Sequence, residues 1–253
     1  MDLGLKGRTA LVCASTGGLG EATARTLALE GAHVVVTGRR GEPARAVAAE
    51  LPGATAVEAD LLAPGGVESL VSAAGEVDIL VLNGPGPRPG SAAAMSGEDL
   101  TAAVDALVRP HIKLVSLLLP GMRARGWGRI LAIGSSGVVA PLPNLALSNL
   151  GRSALAGYLK TLAAEVAADG VTVNMLLPGR IATARVAQLD AAAAERDGRS
   201  VAEVEAASRA AIPAGRYGRP DEFGQVAAFL CAEPASYVTG TALRCDGGLV
   251  RTL

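Results

Sequence analysis

Near its amino end the chain reads Cys13-Ala14-Ser15-Thr16-Gly17-Gly18-Leu19-Gly20, small residues set between an apolar stretch and a helical one. Small side chains let a backbone close on an anion, and a helix N-terminus behind them offers unpaired N–H groups and the positive end of a dipole. This composition between strand and helix is that of a phosphate cradle, with Ser15, Thr16, Gly18, Leu19 and Gly20 as the expected contacts. A second apolar stretch ends in Thr37-Gly38-Arg39-Arg40. In a dinucleotide fold an acidic residue there takes the ribose 2′-hydroxyl of NAD, whereas arginine takes the 2′-phosphate of NADP through charge-assisted, often bidentate hydrogen bonds. Arg39, with Arg40 beside it, therefore points to NADP(H); the bland alternative is a solvated surface pair.

Other chemistries find little support. The net charge is −1 and aromatic residues make up 2% of the chain, so neither a basic stripe nor a base-stacking surface is available and no nucleic-acid partner is expected. Cys13, Cys231 and Cys245 are widely spaced, and His33 and His111 are the only histidines, which argues against a disulfide framework or a metal site. Met1–Arg8 lacks an apolar signal core, and the greasy stretch Leu114–Leu119 is too short for a bilayer and runs into Pro120. A soluble, cytoplasmic protein with no membrane partner is expected.

These residues need a scaffold, and the pattern supplies one. Short apolar runs at Thr9–Cys13, His33–Thr37, Thr55–Glu58, Ile79–Leu82, Arg129–Ile133, Val171–Leu176 and Ala242–Cys245 read as strands. Between them, Gly20–Glu30, Pro43–Glu50, Val67–Ala74, Asp99–Arg125, Ser148–Ala168 and Asp221–Leu230 read as helices, with Pro110 expected to kink or divide the fourth. Such alternation, with strands apolar throughout, predicts an α/β fold: a single doubly wound parallel sheet in a Rossmann-type three-layer αβα arrangement, one domain over 1–253. Only 182–214, rich in Ala, Arg and Glu, breaks the rhythm. It is either surface helices or a mobile substrate lid placed after a strand's carboxyl end, where ligands bind in such sheets.

The loop resembles the T-G-x-x-x-G-x-G segment of the short-chain dehydrogenase/reductase family. Cys13 and Ala14 stand in place of Thr-Gly, while Gly18 and Gly20 match. Alanine gives up easy access to positive φ, worth about 1 kcal/mol, so the turn is expected to relax to a geometry alanine accepts. Val77–Gly86 is similar to the family's D-I-L-V-N-N-A-G, with Asn83 and Gly84 in register and Leu82 replacing the first Asn. Asn174 and Pro178-Gly179-Arg180-Ile181-Ala182-Thr183 resemble its N-x-x-x-P-G-x-I-x-T stretch. Gly218–Glu222, Tyr237–Gly240 and Asp246–Gly248 are also family-like, so the resemblance spans nearly the whole chain. It implies that Pro178, Gly179, Ile181 and Thr183 frame the nicotinamide end, that Asp60 and Leu61 meet the adenine, and that the chain forms a homotetramer or homodimer.

The resemblance also implies where catalysis sits, and there the pattern breaks. The family uses a tyrosine as proton donor, a lysine one helical turn later, a serine on the preceding strand and an asparagine on the earlier helix. Here these fall on Ser148, Arg152, Ser136 (or its neighbour Ser135) and Leu107. Only the serine survives. An aliphatic hydroxyl is a far poorer acid than a phenol, and arginine holds its proton, but Arg152 can still bind the cofactor ribose and stabilise a developing oxyanion. The expected activity is NADP(H)-dependent reduction of a ketone or 3-oxoacyl thioester, similar to 3-oxoacyl-carrier-protein reductases, with Ser136, Ser148 and Arg152 at the reacting carbonyl. A catalytically silent NADP(H)-binding sensor or assembly subunit is the alternative, and dehydration or isomerisation on the same scaffold a third. His111 is expected on the helix surface or at an interface. Lys160 lies twelve residues, about 18 Å, along the helix from Ser148, too far to act as a displaced catalytic lysine.

Overall fold

The computed structural model describes residues 1–252. Seven strands, β1 (Thr9–Val12), β2 (His33–Gly38), β3 (Ala54–Glu58), β4 (Ile79–Leu82), β5 (Gly128–Ile133), β6 (Val171–Pro178) and β7 (Ala242–Cys245), form one sheet in the order β3-β2-β1-β4-β5-β6-β7. Every pairing is parallel, with Thr9 opposite His33, Ala10 opposite Ile79 and Gly128 opposite Val171. The order reverses between β1 and β4. At such a switch point the loops leaving adjacent strands diverge to opposite faces and leave a crevice.

Because side chains alternate across a strand, each strand feeds two cores. Ala10, Val12, Val34 and Val36 face α1 (Gly18–Leu29), α2 (Gly41–Ala49) and α9 (Pro220–Leu230), where Leu27, Ala44, Phe223 and Ala227 are buried. Leu11, Val35, Leu80 and Val173 face the other way, onto α3 (Gly66–Ala74), α5 (Arg109–Ala124) and α6 (Ala146–Val166), where they meet Leu70, Leu114, Met122 and Leu155. The result is the three-layer arrangement expected of apolar parallel strands.

The long fourth helix is divided rather than merely kinked. α4 (Gly97–Leu107) ends and α5 begins at Val108 (φ −123°, ψ −59°), and Pro110 sits in the first turn of α5, where its missing N–H costs nothing. α1 starts at Gly18, two residues before the expected Gly20. The 182–214 segment folds as α7 (Ala184–Asp197) and α8 (Val201–Ala211), the latter opened by a Ser200–Glu203 capping box. No described helix is long and apolar enough to cross a membrane.

At the amino ends of the strands, the Trp127 ring lies between the guanidinium groups of Arg8, at 3.7 Å from its centroid, and Arg129, at 4.2 Å. Its indole N–H donates to Glu233 (2.6 Å). This rim is opposite the crevice.

Candidate active site

At the carboxyl ends of the strands, a cleft of about 770 Å³ runs across the switch point. Its size is ordinary for a small-molecule site. Under it, α1 presents an open N-terminus: Gly17 provides no side-chain cap, so the first N–H groups of the helix have no intrahelical partner. Gly20 packs so closely that a Cβ there would lie 2.5 Å from the Ala14 carbonyl oxygen and 2.7 Å from Asn83 Nδ2. Across the cleft, the Thr183 methyl approaches Gly18, with 3.9 Å to a Cβ built there.

Ala14 does not relax as expected. It keeps a left-handed φ of +48°. Its N–H donates to Thr37 Oγ1 (3.2 Å) and its carbonyl accepts from Asn83 Nδ2 (3.2 Å), so neighbours on both sides hold the turn in the conformation a glycine would prefer.

Thr16, Gly18, Leu19, Arg39, Asp60, Leu61, Asn83, Gly84, Pro178, Gly179, Ile181 and Thr183 all line the cleft. Ser15, Gly20 and Arg40 do not. Ser15 is fully buried; its hydroxyl donates to the Val12 carbonyl (2.7 Å) and accepts from Thr37 N–H (2.9 Å), so it ties β1 to β2 instead of facing a ligand. Arg40 is exposed at the start of α2. Arg39 stands at the end of β2, and among the described residues neither arginine pairs with a carboxylate. An open helix N-terminus, a loop with no room for side chains and an uncommitted guanidinium at the β2 end together fit NADP(H).

At the other end of the cleft stand Ser135, Ser136, Ser148 and Arg152. Ser136 is 3% exposed, one residue beyond Ser135, whose hydroxyl caps the short turn after β5. The Arg152 guanidinium donates from Nη1 to the Ile133 carbonyl (2.6 Å) and from Nε to Ser148 Oγ (3.3 Å). Burial, with the charge of Arg185 added, pushes it down to about 10, so it stays cationic at neutral pH.

A family model described as enoyl-(acyl carrier protein) reductase matches residues 13–250. The chain belongs to the short-chain dehydrogenase/reductase family. Dehydrogenase/reductase SDR family member 4 of Bos taurus is 36% identical, over 96% of this chain and 88% of its own. The 3-oxoacyl-[acyl-carrier-protein] reductase FabG of Aquifex aeolicus is 34% identical, over 98% of this chain and 100% of its own. Among solved structures, L-sorbose reductase from Gluconobacter frateurii complexed with NADPH and L-sorbose superposes with a TM-score of 0.92 at 32% identity, covering 100% of both chains.

Within this short-chain dehydrogenase/reductase cleft, Leu107 is turned to packing. It is 1% exposed, and its Cδ1 would lie 2.7 Å from a Cβ at Gly151, so α4 and α6 touch where only glycine fits. One turn later comes a residue the sequence misassigned. His111 is neither on the helix surface nor at an outer face: it is 4% exposed and its ring borders the cleft. Nδ1 lies 2.8 Å from the Leu107 carbonyl and Nε2 3.4 Å from the Asn83 carbonyl. Carbonyls only accept and a neutral ring has one N–H to give, so the shorter contact assigns the proton to Nδ1. Burial lowers its pKa against the pull of the two carbonyls, and the Arg152 charge lowers it further. Helical spacing gave no signal for it, because the break at Val108 puts Leu107 on α4 and His111 on α5.

Arg185 was not singled out either. It sits in the first turn of α7, lines the cleft and donates from Nη2 to the Pro87 carbonyl (2.8 Å). Lys160 is accounted for elsewhere, donating to the Gly240 carbonyl (2.8 Å). Asn174 clamps the β6–β7 edge through Val238 and Thr241.

Proposed function

We infer that this chain is an NADP(H)-dependent reductase of a ketone carbonyl, working with Ser136, Ser148 and Arg152 in place of the family's tyrosine and lysine. The observation that carries the reading is the Arg152 guanidinium, fixed by the Ile133 carbonyl and Ser148 Oγ in the cleft that Ser136 also lines. Ser15 and Gly20 shape the phosphate loop, Arg39 with Arg40 behind it takes the 2′-phosphate, and Asp60 with Leu61 borders the adenine. Asn83, Gly84, Pro178, Gly179, Ile181 and Thr183 hold the nicotinamide half. NADPH supplies a hydride when bound. Ser136 donates a hydrogen bond to the carbonyl oxygen, and Arg152 with Ser148 stabilises negative charge developing there; solvent admitted to the cleft supplies the proton. α7 and α8 cover the substrate end as a lid.

The L-sorbose reductase and the 3-oxoacyl reductase named above leave both a sugar ketone and a 3-oxoacyl thioester as substrate classes. Three free thiols, two of them buried, suit a reducing, cytoplasmic setting. The family expectation of a homodimer or homotetramer is tested by sizing with light scattering. The deciding experiment follows NADPH oxidation over a ketone and thioester panel. Arg152→Ala should lower kcat by about 100-fold, the loss expected for an oxyanion donor. Undiminished turnover in Arg152→Ala and Ser148→Ala would remove both from the mechanism.

Leu107 favours a second reading. With the polar relay position filled by packed hydrocarbon, the chain is a silent NADP(H)-binding sensor or assembly subunit. That reading expects NADPH binding with no turnover anywhere on the panel.

A further inference from the structure

The cleft is unevenly charged. Among the described residues its only carboxylate is Asp60, whose Oδ1 accepts from Leu62 N–H (3.0 Å). Asp60 follows β3, four strand spacings, about 19 Å, from β5 and the Arg152 end. At that end three arginines line the wall. Arg180 is neutralised by the fully buried Asp190, but Arg152 and Arg185 meet no carboxylate among the described residues. Among the described residues, Arg152 commits Nε and one Nη1–H to the protein and leaves Nη2 unused, while Arg185 commits only Nη2 and leaves Nε and Nη1. Room for Arg185 is built in: a Cβ at Gly86 would lie 3.0 Å from its Nε. Two like charges in a partly dry crevice repel, and each has lost hydration without gaining a counter-ion. An arrangement of this kind is completed by an anion that bridges them through charge-assisted hydrogen bonds.

We propose that Arg152 and Arg185 form an anion subsite at the substrate end of the cleft, and that the substrate is an oxo acid whose carboxylate they hold. The inference rests on the reductase reading and narrows it: a sugar ketone or thioester without a nearby anion leaves the pair unsatisfied. Arg185, on the first turn of α7, reaches a bound carboxylate from the lid side, while Arg152 reaches it from the sheet side.

The test uses the full chain with NADPH and matched pairs of 2-, 3- and 4-oxo acids and their methyl esters. In parallel, calorimetry measures binding of malonate, which carries carboxylates but no ketone, to the protein–NADP⁺ complex. The acid should exceed its ester in kcat/KM by about tenfold or more, the worth of a charge-assisted contact. In Arg185→Gln that preference collapses and malonate binding weakens by a similar factor, while Kd for NADPH holds and Arg185→Lys recovers part of the effect. Equal turnover of acid and ester overturns the proposal. So does an Arg185→Gln variant that loses NADPH as strongly as it loses the acid, because the guanidinium then serves the cofactor's phosphates. If no ketone is reduced, the reductase reading falls, and malonate binding that depends on Arg185 still decides the subsite by itself.

Discussion

Arg39 and His111 show how differently a side chain acts at a strand end and inside a helix pair. Arg39 projects from the end of β2 with no carboxylate to satisfy it, so its free energy is available to a ligand phosphate. Arg39→Asp should therefore weaken NADPH by about tenfold or more while sparing NADH, measured by fluorescence titration of both cofactors. His111 is closed in by Leu107, Asn83 and Arg152, and burial holds it below its ordinary value of 6.5. As pH falls through about 6.5, the unfolded chain takes up a proton that the folded chain refuses, so stability drops on acidification. The drop continues until the folded-state pKa is passed. Urea midpoints between pH 5 and 8 should show this slope, and His111→Gln should flatten it.

Among elements, α7 is the one whose attachment most affects the site. Asp190 is completely buried; Arg180 bonds one of its oxygens, and Tyr217 OH donates to the other at 2.8 Å. This ties α7 to the turn after β6, which also carries Ile181 and Thr183. Arg180→Ala leaves a carboxylate buried without its counter-charge and should cost about 3 kcal/mol in urea unfolding. Tyr217→Phe, which removes a single hydrogen bond, should cost about 1 kcal/mol. None of this was legible in the sequence, since Arg180, Asp190 and Tyr217 meet only once α7 has folded back. The strands, by contrast, were legible nearly to the residue, because the central parallel strands, covered on both faces, are apolar at most positions. Helix starts were less so: Gly18 opens α1 although nothing in its side chain says helix. Ala14 shows the reverse limit, where hydrogen bonds from Thr37 and Asn83 override a local preference that composition reads correctly. His111 was misread because one helix's periodicity does not reveal which neighbour covers it.

For the molecule as a whole, two cores on either side of one sheet place its thiols unequally. Burial pushes Cys13 and Cys231 up to about 12, and the half-buried Cys245 is raised as well. In the native protein a maleimide should label at most Cys245, and all three only after unfolding in guanidinium, counted by mass spectrometry. The same layering separates the rims of the sheet by the length of β5, about 20 Å. Trp127, the only indole in the chain, is clasped between Arg8 and Arg129 on the rim opposite the cleft. Its ultraviolet emission thus reports one edge of the molecule, while the blue emission of bound NADPH reports the other. Followed together during denaturation, the two colours are separate clocks on a single chain. Coincident traces mean that both edges open in one step; an early blue trace means that the cleft lets go while the clasp still holds.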